Sequence, residues 1–356
     1  MAKKERQLLL DFLCTQDSES FKPDLVGVDW AEFVGQACCH RLGGLVFHVI
    51  REYSIHDIPS GAYYSLDKIF EAQASRTMLF RKHIAELSGA IAQAGIPCAF
   101  LKGAILANSV YEVGTRSSND IDILLNPEDI SRVEATLSGL GYEQGDFDGT
   151  SITKLSRKEA VFRRMNWGES APYTKLIDEP TLRAIVVDMN FSLDWLPTGS
   201  ESTIKAMLSQ TKPYSIDGAP APSLAEEDFL IHLCMHLYKE AVLYSQVITG
   251  KDMGLYKFVD IQRVIAKWPI NWELLLSKTR GYGLEKEVYY VLYQLVAIFP
   301  GIGNKELSNV MEALKPADLS YLDRVISTEE KKTYIWKNTV LERLFDHNRM
   351  QYLIEE

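Results

Sequence analysis

The sequence predicts an α+β protein in which a core of mixed strands and helices is flanked by N- and C-terminal helical regions. Three observations carry this. Across residues 1–90 apolar side chains recur at helical spacing, as at Leu8, Leu9, Phe12 and Leu13 and again at Met78, Leu79, Ile84 and Leu87. Beyond them come short apolar runs of strand type, among them Cys98-Ala99-Phe100-Leu101 and Ala184-Ile185-Val186-Val187. From about residue 223 onward aromatic and aliphatic residues return to helical spacing with few strand signals. The expected organisation is a helical region over 1–90, a core over 91–222 and a C-terminal helical domain over 223–356.

In the first region Gly43-Gly44 and Pro59-Ser60-Gly61 act as punctuation. Gly95-Ile96-Pro97 ends its last helix, and the apolar run from Cys98 suits a buried strand. Lys102-Gly103 turns the chain into a helix-compatible stretch over 104–112. A polar loop over 114–119 then leads into a strand over 120–125. Asn126 supplies an N-cap and Pro127 a first helical position, with Glu128 and Asp129 favourably placed in the first turn. That helix carries Ile130, Val133, Leu137 and Leu140 on one side and stops at Gly141, and a second strand follows.

Residues 143–180 mix Gly, Thr, Ser, Lys and aromatic residues with weak alternation and read as strands or loops. The run over 182–193 is a clearer strand, interrupted near its end by Asp188. Residues 217–222 form a turn or linker, and Ser223 with Glu226 matches a capping box that opens the helical domain.

Composition narrows the function. The 356 residues are 46% hydrophobic and 24% charged, enough for two or three packed units and contrary to disorder. The longest apolar run, near residues 289–299, is far shorter than the roughly 20 residues that cross a bilayer. The N-terminal stretch has a basic start, but Asp11 breaks its apolar run, so it reads as an amphipathic helix. Five cysteines, Cys14, Cys38, Cys39, Cys98 and Cys234, are an odd number without C-x-x-C spacing, which disfavours a disulfide framework or a zinc ribbon. A reducing cytoplasm is the expected compartment. A net charge of −10 disfavours long nucleic acid as a partner, since a polyanion needs clustered Lys and Arg. Arg157-Lys158 and Arg163-Arg164 are local basic pairs that suit either a solvated surface or an anionic ligand.

The chemistry concentrates in residues 101–130. A strand alternates its side chains between faces, so Asp120 and Asp122 point one way while Ile121 and Ile123 point the other. Two carboxylates aimed together repel, and a cation, a basic side chain or open water must compensate. Hard divalent cations choose carboxylate oxygens, and Mg²⁺ keeps positions open for phosphates. The glycine turn just upstream leads into a helix whose first N–H groups suit phosphate oxygens. Asp188, in a strand able to lie beside the first, adds a third carboxylate. Neighbouring strands lie about 4.8 Å apart, so three such groups can reach one or two ions.

Taken together, the segment L-K-G…Y…G-x-R-x₃-D-I-D-I-L-L closely resembles the uncharacterised nucleotidyltransferase family within the DNA polymerase beta nucleotidyltransferase superfamily. The resemblance is strongest over 98–142 and continues more loosely to about 265. It implies that the turn at Gly103 grips a triphosphate, that Asp120 and Asp122 bind Mg²⁺ or Mn²⁺, and that Asp188 completes the metal and catalytic set. Two positions depart from the superfamily pattern. Lys102-Gly103-Ala104 lacks the hydroxyl that commonly follows the glycine, which leaves Lys102 to contact phosphate. Asp188-Met189-Asn190-Phe191 replaces a D-L-H-W run, with Asn190 in the place of the histidine.

Several further residues admit two readings. Arg116 can pair with a phosphate oxygen or neutralise the acidic cluster. His232 and His236 stand i, i+4 on an apolar helix, with Asp260 beyond them. They serve either packing or the support of a metal site from behind its ligands, and H-L-C-M-H lacks the glutamate of a metalloprotease H-E-x-x-H. His56-Asp57 reads as a loop before Pro59 rather than a phosphohydrolase site. The expected function is metal-dependent transfer of a nucleoside monophosphate from an NTP, ATP among them, to a hydroxyl of a small-molecule, sugar or peptide acceptor. The alternative is a nucleotide- or partner-binding protein of the same fold without catalysis.

Overall fold

The structure, a computed structural model, describes residues 3–15, 20–166, 168–194 and 199–356. The chain divides into two compact units, one formed by Met1–Phe70 with Leu230–Glu356 and the other by Glu71–Phe229. The N- and C-terminal helical regions, distinct in the sequence, thus share one unit.

The first unit opens with α1 (Lys3–Leu13), α2 (Trp30–Cys39), α3 (Gly43–Glu52) and the start of the 34-residue α4 (Ser60–Gln93). The predicted stripe is real: Leu8, Leu9, Phe12 and Leu13 of α1 are all buried. Asp29 caps α2 by accepting N–H bonds from Ala31 and Glu32, and its own N–H is held by Glu5 at 2.8 Å. Gly43 opens α3, and a Cβ there would lie 2.9 Å from Ile69, so the small residue lets α3 approach α4.

The remainder of α4 enters the second unit. There follow β1 (Cys98–Phe100), α5 (Lys102–Ser109), β2 (Ile121–Leu125), α6 (Ile130–Gly139), β3 (Glu143–Phe147), β4 (Ile152–Lys154), α7 (Arg157–Asn166), β5 (Tyr173–Glu179) and β6 (Leu182–Asn190). The six strands form one sheet in the order β1-β2-β6-β5-β3-β4. β2 and β6 run parallel and every other neighbouring pair is antiparallel, so the sheet is mixed and the α+β class is as expected. All five residues of β2 are buried, including Asp122.

Three local expectations need correction in this unit. Residues 157–166 form α7, although 143–180 read as strands or loops. Its apolar Val161, Phe162 and Met165 are exposed, so it has no buried stripe to betray its period. Asn126 makes no side-chain cap. Pro127–Asp129 is instead a 3₁₀ turn closed by the Asp129 N–H on the Asn126 carbonyl, and α6 starts at Ile130. Gly141 does close α6, at φ +83°.

The unit ends with α8 (Glu201–Leu208) and a small hairpin of β7 (Ser215–Ile216) and β8 (Ala219–Pro220). The chain then enters α9 (Glu226–Val242). The Ser223–Glu226 capping box does not form, because the Ser223 backbone is bridged to Lys212 and Glu226 is ion-paired with the Lys212 ammonium.

The first unit resumes with the rest of α9 and then α10 (Tyr244–Ile248), α11 (Leu255–Lys267), α12 (Trp272–Tyr282), α13 (Glu285–Ile298) and α14 (Lys305–Leu314). Within this expected helical domain, β9 (Arg324–Ser327), β10 (Lys332–Trp336) and β11 (Leu353–Glu355) form an antiparallel sheet that the few strand signals do not mark, with α15 (Val340–Phe345) between β10 and β11. Val325 and Trp336 are buried there with Val247 of α10. Three strands of three to five residues give too few alternations to stand out. All five cysteines are free. Among the described residues no helix is long and apolar enough to cross a membrane.

A buried histidine gives this unit a pH dependence. His40 is 5% exposed, accepts the Leu255 N–H on Nδ1 and meets the Phe345 ring edge-on. Burial, followed by the nearby charges of Arg349 and His347, lowers its pKa to about 4. The folded pKa is depressed, so the unfolded chain takes up a proton first. The stabilisation is complete above pH 6.5 and is lost as pH falls toward 4, a change of about 3 kcal/mol. Denaturant melts from pH 7 to 4 should show this loss, and a His40→Asn variant should have a flatter profile over the same interval.

Candidate active site

The parallel pairing of β2 with β6 sets Asp122 directly beside Asp188, with Ile121 beside Val187 and Leu124 beside Asn190. Residues paired in register project to the same face, and alternation within β6 puts Asn190 on that face too. Asp120 precedes β2 by one residue and is partly exposed. An isolated antiparallel bridge between Glu169 and Asn190 brings Glu169 to the same edge. The sheet therefore sets Asp122, Asp188 and Asn190 on one face, with Asp120 just before β2 and Glu169 at the bridge; Asn190 and Glu169 are additions to the site residues singled out in the sequence.

Like charges so gathered are costly to ionise. Burial raises the pKa of Asp188 well above the ordinary carboxylate range, and Asp120, Asp122 and Glu169 raise it further while Lys102 opposes them. Asp122 has two donors on one oxygen. Lys102 Nζ donates to Oδ1 at 2.7 Å and Asn190 Nδ2 donates to the same atom at 3.3 Å. Asn190, 7% exposed, thus stands beside Asp122 at the position where the resemblance implies a histidine.

The turn that carries Lys102 is tightly built. The Leu101 N–H donates to the Asp122 carbonyl at 3.0 Å, which ties the end of β1 to β2. Lys102 then adopts φ +41°, a region that costs an L-residue about 1–2 kcal/mol. Gly103 follows, and a Cβ there would stand 2.5 Å from Ser118 Oγ and 2.7 Å from Arg116 Nη1. The glycine is required because the polar loop lies directly on the turn. Arg116 Nη1 donates to Ser118 Oγ at 2.9 Å, and its guanidinium stands 6.0 Å from the Tyr111 ring centre. Arg76, from the second-unit part of α4, fixes the loop by donating to the Ser118 and Thr181 carbonyls at 3.0 Å each. Nothing in the local helical pattern around Arg76 or in the polar stretch around Glu169 signals this placement.

The other candidates belong to other elements. His232 and Asp260 are buried in the first unit, on α9 and α11. His236 Nε2 lies 3.2 Å from Glu240 Oε2, and Glu240 also pairs with Lys257. His56 and Asp57 are exposed outside any helix or strand. Of the basic pairs, Arg163 is bound through both terminal nitrogens to Asp146, whereas Arg157 and Lys158 are exposed.

The sequence profile of the family described as "Uncharacterised nucleotidyltransferase" matches residues 27–300. The chain belongs to this family. No curated protein matches it. Among solved structures it is similar to an antigenic nucleotidyltransferase-like protein from Paracoccidioides brasiliensis, with 14% identity and a TM-score of 0.38 over 65% of this chain and 92% of that one. The family match spans both compact units, from α2 to the start of the segment that follows α13.

The resemblance noted in the sequence implies a divalent cation, for which the donors at this face are the side chains of Asp120, Asp122 and Asp188. They are oxygen atoms only, they are close enough to suppress the ionisation of Asp188, and hard cations take such donors. By charge and donor type the set fits Mg²⁺ or Mn²⁺. Among the described residues, however, no three His, Cys, Asp or Glu side chains are already gathered as a metal-holding group. The contact made by Asp122 Oδ1 is with the Lys102 ammonium.

Proposed function

We propose that this chain is a metal-dependent nucleotidyltransferase that moves a nucleoside monophosphate from an NTP to a hydroxyl of a small-molecule, sugar or peptide acceptor. The observation that carries the reading is the register of Asp122 against Asp188 on parallel strands, with Asp120 one residue before β2. A buried carboxylate pair is costly to ionise, and a bound cation offsets that cost.

Asp120, Asp122 and Asp188 would hold Mg²⁺ or Mn²⁺, which when bound offsets the charge that develops on the phosphate oxygens. Lys102 and Arg116 bind the triphosphate through charge-assisted hydrogen bonds, and Gly103 lets the loop that carries Arg116 close onto the turn at the start of α5. Asn190 steadies Asp122. The acceptor oxygen attacks the α-phosphorus in line, its proton passes to a carboxylate or to solvent, and pyrophosphate departs with the bonding electrons. A net charge of −10 favours a small or polypeptide acceptor over a long polyanion.

The test is calorimetric titration of ATP, GTP, CTP and UTP, with Mg²⁺ or Mn²⁺, into the wild type and an Asp120→Ala, Asp122→Ala double variant. Metal-dependent binding of at least one nucleotide, lost in the variant, is expected and identifies the donor for an acceptor screen. Equal binding by the variant and without divalent metal would overturn the reading.

A further inference from the structure

Lys102 is an unusual place for a flexible cation. Its backbone is held at φ +41° between the bond from Leu101 to Asp122 and the glycine beneath the polar loop, so its starting direction is fixed. Its side chain is 16% exposed, and the Asp122 side chain that it meets is 5% exposed. A carboxylate oxygen offers about two lone-pair directions. Asp122 Oδ1 already receives Lys102 and Asn190. A divalent ion using that oxygen must displace a donor, and one using another oxygen of the cluster must come close to an ammonium. Both routes are opposed by the same positive charge.

A polyphosphate changes this balance. It brings several anionic oxygens, each a partner for an ammonium, and lysine has the rotatable stem to move between two nearby anions. We propose that Lys102 is a resident cation that couples metal to nucleotide: it holds Asp122 until a triphosphate draws it away, so the divalent ion binds weakly alone and strongly with nucleotide. The inference rests on the reading of the aspartates as a metal–nucleotide site and adds an order of assembly that the reading does not require.

The experiment measures Mn²⁺ binding by the loss of the free-ion resonance in electron paramagnetic spectra. Each protein is titrated with MnCl₂ alone and with MnCl₂ plus each of the four NTPs, and the Mn²⁺ taken up by the same NTP without protein is subtracted. The wild type should bind Mn²⁺ alone at least about tenfold more weakly than Lys102→Met and Lys102→Gln, and should gain at least about tenfold on addition of its nucleotide. In the neutral variants that gain should shrink. Lys102→Arg, which keeps the charge, should bind Mn²⁺ alone as weakly as the wild type. Thermal melts give a second readout: Mn²⁺ alone should stabilise the neutral variants, which lack their internal cation, and leave the wild type nearly unmoved.

If the neutral variants bind Mn²⁺ alone no better than the wild type, while the wild type binds Mn²⁺ with a nucleotide, the coupling role of Lys102 is overturned and the site reading stands. If no protein binds Mn²⁺ with any NTP, the site reading itself fails and the proposal falls with it. Should the neutral variants not fold without metal, refolding in MnCl₂ but not in NaCl would support the resident-cation role, and refolding in neither would overturn it.

Discussion

Asp188→Asn is expected to lower nucleotidyl transfer by at least about 10²- to 10³-fold while raising the melting temperature of the protein in EDTA at pH 7. The two effects have one origin. Asp188 shares its face of the sheet with Asp122, and burial together with Asp120, Asp122 and Glu169 raises its pKa. Because the folded value lies above the unfolded one, the cost is absent below the ordinary carboxylate range and grows as pH rises through the raised value. At pH 7 the wild type bears that cost and the amide does not. The amide is also a poor substitute for a carboxylate in holding a hard cation. Paired melts of wild type and variant across pH 3–8, beside a transfer assay, check both halves. A variant that is less stable at pH 7, or that transfers at the wild-type rate, would contradict the assignment of Asp188 to a repelling metal cluster.

Asp252→Ala should destabilise the first unit by about 3–5 kcal/mol, an effect large enough to leave a marginal domain mostly unfolded. The Asp252 side chain is 1% exposed and accepts both terminal nitrogens of Arg349, with one of the bonds at 2.9 Å. That guanidinium also lies 5.7 Å from the centre of the Trp336 ring. Removing the carboxylate leaves a mostly buried cation without its chief counter-charge, and the loss then exceeds what the pair itself contributes. Urea unfolding followed by fluorescence should register a lower midpoint. An Asp252→Ala, Arg349→Met double variant should recover part of the loss, because it removes the orphaned charge as well. Should the double variant be no more stable than the single one, the destabilisation would have another source.

These two outcomes separate the roles of the two units. The Asp188 variant should remain folded and lose chemistry. The Asp252 variant reports on the unit that holds His232, His236 and Asp260.

Much of the site could be read before its geometry was known, because its logic is local. Alternation along the acidic run puts Asp120 and Asp122 on one face in the sequence, although β2 begins at Ile121 and is buried on both faces, which the period alone does not reveal. The need for glycine after Lys102 was legible as a turn. Its stricter reason was not, since the atoms that exclude a Cβ come from Ser118 and Arg116 across the loop. Helix α7 and the strands β9–β11 were missed for related reasons: the helix buries no apolar stripe, and the strands are too short for alternation to accumulate.

What the sequence determined by itself was the class of the fold, the acidic strand and the glycine turn, because each depends on neighbours a few residues apart. Tertiary structure decided which strand lies beside β2, and with it the meeting of Asp122, Asp188, Asn190 and Glu169. It also decided that Lys102 turns inward to Asp122 and that the two helical ends of the chain share one unit. Those are contacts between segments tens to hundreds of residues apart. They are set by which faces can be buried together, and local periodicity carries no record of that choice.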